Sequence, residues 1–220
     1  MFGFRLLIFW KREKVIMSHS RRTLFERLRI GLTWFFTLFV IILAIFGQSS
    51  YQASLLGKIL FALGGSLAAI GAFGRLWCSL YIAGYKNNTL ISEGPYSLCR
   101  NPLYFFSFIG ALGVGLSMGN FTVPVMIIAG FTFYYPLVVS GEEARLAVIH
   151  GERFHNYCKN TPAFFPRFSA LNEPGEYTVQ TKLFRKDIGD AIWFIWIVFF
   201  LQLIAALRTL AYIPTLFTLY

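Results

Sequence analysis

The chain has 220 residues, 56% of them hydrophobic and 19% aromatic, and only 14% charged. Soluble domains carry about 25% charged residues, so these charges are too few to coat a soluble domain of this length. The net charge is +10, yet the basic residues alternate with long uncharged runs; this excludes the basic stripe that nucleic acid requires and points to an integral membrane protein with basic flanks.

Residues 1–10 are apolar apart from Arg5, and by residue 29 the chain has gathered eight Lys and Arg against Glu13 and Glu26. A secretory signal places its charge before the apolar run, so a basic interfacial arm lying on anionic lipid is expected over 1–29. Residues 30–47 are uncharged and form the first predicted span. A short uncharged turn, 48–52, leads to a second span over 53–74, with Lys58 near enough to its end to reach the interface. The apolar stretch 76–85 is expected to prolong that helix. A third, short span covers 103–118, a fourth covers 121–139 with Pro136 kinking its end, and a fifth covers 191–212.

The expected fold is all-α, with about five transmembrane helices. It divides into the interfacial arm 1–29, a membrane core 30–168, a cytoplasmic linker 169–190 and a C-terminal transmembrane helix 191–220. The turns 48–52 and 119–120 carry no charge, whereas the N-terminus, 75–102 and 141–190 carry almost all of it. By the positive-inside rule the N-terminus and both polar loops are cytoplasmic and the C-terminus is outside. Gly115 and Gly119, and likewise Ala111 and Gly115, have the small-xxx-small spacing of close helix packing.

No metal site is expected. Cys78, Cys99 and Cys158 are odd in number without metal-ligand spacing, and His150 and His155 lack HExxH spacing. Two polar segments carry the candidate chemistry. In the first, Gly94-Pro95 is a turn dipeptide, and Asn101 and Pro102 stand where the N-cap and first residue of a helix belong. Arg100 beside that helix end either pairs with a carboxylate or anchors the interface. In the second, Glu142 and Glu143 follow an apolar span directly, where facing lipid would be costly. Adjacent helical side chains point about 100° apart, so one glutamate is expected to meet a ligand while the other caps a helix N-terminus.

Together the segments resemble the membrane methyltransferases that include isoprenylcysteine carboxyl methyltransferase and the phospholipid N-methyltransferases. There a Gly-Pro-Tyr turn leads to Arg-His-Pro-x-Tyr at a helix head. A Glu-Glu pair follows the next span, trailed by Gly-x-x-Tyr-x-x-Tyr and a Pro-rich ending. Gly94, Pro95, Tyr96, Arg100, Pro102 and Tyr104 match the first part; Glu142, Glu143, Leu146, Gly151, Tyr157, Pro162 and Pro166 match the second. The match covers about 70–168. Asn101 stands where the carboxyl methyltransferases carry His, Phe106 replaces a frequent glycine, and Phe154 replaces a tyrosine.

The resemblance implies an S-adenosyl-L-methionine-dependent methyltransferase with a lipid or lipidated acceptor at the cytoplasmic membrane face. Arg100, Glu142 and Glu143 would be catalytic. Gly94, Pro95, Tyr96, Asn101, Pro102 and Tyr104 would join those three in binding the cofactor. Arg100 would meet a carboxylate of cofactor or acceptor, and one glutamate a positive group of the cofactor. The acceptor's reacting group, the choice of glutamate and the oligomeric state stay open. A sterol-reductase-like enzyme using NADPH and a non-enzymatic membrane scaffold are the alternative readings.

Overall fold

The computed structural model describes residues 38–85, 89–210 and 212–220. The predicted arm 1–29 and the first part of the first span, 30–37, lie outside the described residues; residues 38–46 are helical. The elements that follow lie within one compact unit, Phe46–Tyr220.

A three-residue strand, β1 (Gly47–Ser49), precedes helix α1 (Leu55–Ile82), whose N-cap Ser54 accepts the Gly57 N–H at 3.2 Å. The extension of this helix through 76–82 is present. A one-turn helix, α2 (Pro95–Leu98), then leads to α3 (Pro102–Ser117), with proline opening both. Next come α4 (Thr122–His150), α5 (Glu152–Asn160), a 3₁₀ turn (Phe168–Ala170), α6 (Thr181–Thr209) and the strand β2 (Phe217–Leu219). The strands pair in parallel, with Gly47 opposite Phe217 and Ser49 opposite Leu219. Helices α1, α4 and α6 are long and apolar enough to cross a membrane. Helix α3 has 16 residues, about 24 Å at roughly 1.5 Å per residue. The fold is that of an all-α integral membrane protein.

Two helices run further than hydropathy indicates. The helix that holds the fourth predicted span does not stop at Val139, since α4 continues to His150. Gly141 faces open space, and Glu142, Glu143, Ala144, Arg145 and Leu146 hold the helix by propensity. It ends at Gly151, whose φ of 55° favours glycine and whose N–H bonds to Ala147 O at 2.9 Å. Helix α6 likewise starts at Thr181, ahead of the apolar run from Ala191.

Helices α1 and α3 touch backbone to backbone. A Cβ at Gly71 would lie 2.4 Å from Gly110 Cα, one at Gly113 2.3 Å from Ala68 N, and one at Gly64 2.3 Å from Ser117 N. Of the spacing singled out in the sequence, Gly115 does pack closely, but against α4, where a Cβ would lie 2.8 Å from Ile127 Cδ1. Gly119 is a turn residue with φ 70°. The uncharged turns and the chain end gather at one end of the bundle: the strands pair there, and Phe121 and Thr122 N–H donate to Tyr220 O at 2.9 and 2.8 Å.

Gly71→Leu should destabilise the protein by at least about 1–3 kcal/mol, because backbone cannot yield to the added atoms. Gly65, on the same helix, has nothing within 4 Å, so Gly65→Leu should unfold as wild type does. Thermal unfolding in detergent compares them; equal midpoints for the two variants would contradict the packing.

Candidate active site

The polar end of the bundle is built on a glycine turn. Gly94 has φ 57° and ψ −132°, and a Cβ there would lie 2.3 Å from the Tyr81 ring, so a side chain is excluded on both counts. Ser97 Oγ donates to Gly94 O at 2.6 Å and accepts the Asn172 N–H at 3.0 Å. Gly94 N–H donates to Asn172 O at 2.8 Å, and Arg167 N–H to Leu98 O at 3.0 Å. The chain after α5 therefore lies across α2 as a strap. It continues over the end of α1, where Trp77 Nε1–H donates to Glu173 Oε1 at 3.0 Å and Tyr177 OH to Tyr81 O at 2.7 Å. Much of what reads in sequence as a linker is thus bonded to the helices.

Arg100 is held from three directions. Its Nε lies 3.0 Å from Glu143 Oε1, an ion pair in which the N–H is not aligned on the oxygen. Its Nη1 donates to Cys158 O at 3.2 Å, and its backbone N–H to Pro162 O at 2.8 Å. The two side chains are 18% and 27% exposed, so water screens them less than a surface pair. Asn101 occupies the N-cap position of α3 without making a capping bond. With φ −125° and ψ 52° its side chain turns aside, and Nδ2 donates to Ala163 O at 3.0 Å. It also reaches Glu143 Oε1 at 3.5 Å.

The expected division of labour between the glutamates is corrected. Neither caps a helix N-terminus, because both lie inside α4 near its end. Both line the same cleft, which α3, α4 and α5 border widely enough to take in adjacent positions of one helix. Glu143 is turned to Arg100.

That cleft has a cavity volume of about 120 Å³ and opens to solvent on one side. Tyr96, Arg100, Asn101, Tyr104, Glu142 and Glu143 all line it. Gly94, Pro95 and Pro102 are not among its lining residues; they shape the turn and helix head behind it. Arg145 and Ile91 line it too without having been singled out in sequence, and Phe154 and Tyr157 line it although they entered only as motif positions. Arg145 is legible once Glu142 is placed mid-helix, since it follows three residues later.

Tyr157 OH donates to Tyr96 O at 2.6 Å. The Tyr96 hydroxyl is itself buried with no hydrogen-bond partner among the described residues. Burial pushes both phenols well above the ordinary tyrosine range, so both stay neutral at pH 7. Burial also pushes the Cys99 thiol up to about 11, which leaves it protonated and a poor nucleophile.

An aromatic wall leads from the cleft into the groove between α3 and α4. Tyr104 meets Tyr135 edge-on at 6.1 Å. Phe164, from the strap, packs among Tyr135 at 4.7 Å, Phe131 at 5.5 Å and Phe105 at 5.6 Å.

Residues 53–153, from the start of α1 to just past α4, match the phospholipid methyltransferase family. The cobalt-zinc-cadmium resistance protein CzcN of Cupriavidus metallidurans is 37% identical over 179 residues, covering 81% of this chain and 82% of that protein. The chain belongs to the phospholipid methyltransferase family. The nickel-cobalt-cadmium resistance protein NccN of Alcaligenes xylosoxydans xylosoxydans is 33% identical over 189 residues, 86% of this chain and 88% of that protein. Protein-S-isoprenylcysteine O-methyltransferase of Schizosaccharomyces pombe is 30% identical over 81 residues, 37% of this chain and 34% of its own. No solved structure matches the chain. The phospholipid methyltransferase match spans both polar motifs, Gly94 to Tyr104 and Glu142-Glu143, and supports a membrane methyltransferase.

The Arg100–Glu143 pair is open to a double-mutant cycle. Arg100→Ala and Glu143→Ala should each cost about 1.5–3 kcal/mol of folding stability, the range for bonds to charged groups. Together they should cost less than their sum, by about 0.5–3 kcal/mol. Strictly additive costs in denaturant titrations would show that the pair contributes nothing.

Proposed function

We propose that this chain transfers the methyl group of S-adenosyl-L-methionine to a lipidic acceptor at the cytoplasmic face of the membrane. The observation that carries the reading is the cleft itself: charged side chains at the end of two apolar helices, adjoined at Tyr104 by a cluster of aromatic side chains. Family membership and the distant match to an isoprenylcysteine methyltransferase support it. The asymmetry of charge between the loops supports the sidedness.

The residues present fit the cofactor. The cleft offers a carboxylate and a buried tyrosine hydroxyl that have no hydrogen-bond partner among the described residues, a fixed ion pair, and apolar walls from Leu90, Ile91, Leu103 and Leu146. Bound there, S-adenosyl-L-methionine supplies a methyl group activated by a sulfonium. Methyl transfer asks little covalent help of a protein, and holding the reactants in line accounts for most of what a site contributes. Glu142 faces positive charge in this arrangement. Arg100 and Glu143 fix the cleft's shape by binding the head of α3 to the end of α4. Tyr104, Phe105 and Phe164 provide the surface along which an apolar chain lies. A carboxylate acceptor is already nucleophilic at pH 7, whereas an amine acceptor must first lose a proton to a base.

Isothermal titration of the purified full chain with S-adenosylhomocysteine and with NADPH tests the cofactor. Saturable binding of the first alone is expected; binding of NADPH alone would establish a reductase, and binding of neither a scaffold. The acceptor is tested by a chain-length series. Each buried CH₂ contributes about 0.8 kcal/mol, so kcat/KM should fall by up to about fourfold per methylene removed; a flat series would contradict a lipidic acceptor. Single cysteines introduced at 170–185 should react with impermeant reagent only from the cytoplasmic side, and labelling from outside intact cells would reverse the orientation.

A further inference from the structure

Four charged side chains line the cleft: Arg100, Glu142, Glu143 and Arg145. Two of them neutralise each other, Arg100 against Glu143 at 3.0 Å. Glu142 and Arg145 make no hydrogen bond or ion pair among the described residues, and the Arg145 Nε is buried. Both are half-buried on α4, three residues apart, which puts their Cβ atoms about 5–6 Å apart on one helix face. Such a pair often closes on itself when it lies on a solvated surface. Here each charge faces a partly dehydrated cleft, and leaving it unmatched is unfavourable.

The complement of this arrangement is a ligand carrying both charges close together. A phosphate would satisfy Arg145 and be repelled by Glu142. A simple amine would satisfy Glu142 and leave Arg145 unpaired. An α-amino acid, with ammonium and carboxylate on one carbon, satisfies both. We propose that Glu142 and Arg145 clamp the amino-acid end of the methyl donor, Glu142 taking the ammonium and Arg145 the carboxylate. This rests on the S-adenosyl-L-methionine reading and moves the carboxylate contact away from Arg100, the residue the sequence pointed to. Arg100 is already engaged by Glu143, Cys158 O and Pro162 O. Arg145, one turn along the same face as Glu142, is the cation left for a ligand.

The test is calorimetric and needs no turnover. The purified full chain in detergent, with no lipid headgroup present, is titrated with S-adenosylhomocysteine, its decarboxylated analogue and methylthioadenosine, which lacks the amino-acid end altogether. Wild type should lose at least about tenfold in affinity on decarboxylation. Arg145→Ala and Arg145→Gln should bind S-adenosylhomocysteine as weakly as wild type binds the decarboxylated analogue. Methylthioadenosine should bind the variants and wild type alike, and Arg145→Lys should restore part of the loss. Equal binding of S-adenosylhomocysteine and its decarboxylated analogue by wild type would overturn the proposal even if no variant folds. So would Arg145 variants that weaken all three ligands equally, or none. Should wild type bind none of the three, the methyl-donor reading itself falls and the clamp with it.

Discussion

Arg100 organises the polar end of this protein. Its guanidinium pairs with Glu143 near the end of α4 and donates to the Cys158 carbonyl in α5, while its backbone N–H holds Pro162 at the start of the strap. One residue at the head of α3 thereby fixes three later parts of the chain, and the cleft is the space they leave between them. Asn101 and Tyr135 strengthen the same junction by donating to Ala163 O at 3.0 and 3.2 Å. The pair lies partly out of water, where its attraction is less screened than on an open surface and where losing one partner leaves a charge exposed to apolar surroundings.

That junction can be rigid because of how α3 is seated. In lipid, apolar side chains gain little by exchanging acyl chains for one another, so helices associate through close fit. The glycines of α1 and α3 provide it by removing side chains where the backbones meet. With α3 fixed against α1, the position of Pro102, and so of Arg100, is set by the bundle. The strap then closes the arrangement from outside through backbone carbonyls of α1 and α2. The aromatic cluster between α3 and α4 adjoins the cleft at Tyr104, so charged and apolar surfaces meet at one place.

The sequence made much of this legible. The second, third and fourth spans could be read because apolar runs bounded by uncharged turns have few other uses, and the two motifs could be joined because both lie at the same end. Hydropathy misled at the ends of α4 and α6. It reports where water begins, whereas a helix stops where its hydrogen-bond ladder breaks, and for α4 that is Gly151. Treating Glu142 and Glu143 as the start of a new helix hid the register that brings Arg145 onto the face of Glu142. The strap escaped notice because its bonds run largely through main-chain atoms, which every residue carries. The side chain of Asn101 was assigned to the nearest helix end, when a carbonyl from the strap, distant in sequence, competes for it. The predicted arm 1–29 lies outside the described residues.

The central claim is that this chain methylates a lipidic acceptor, and transfer of label is its most direct test. Purified protein in lipid vesicles is incubated with S-adenosyl-L-methionine tritiated on the methyl group, and the organic extract is counted. The account predicts label in the lipid fraction that depends on the protein and falls at least about tenfold in Glu142→Gln, which removes the charge and keeps the shape. An organic phase without label, or equal labelling by wild type and Glu142→Gln, would contradict it.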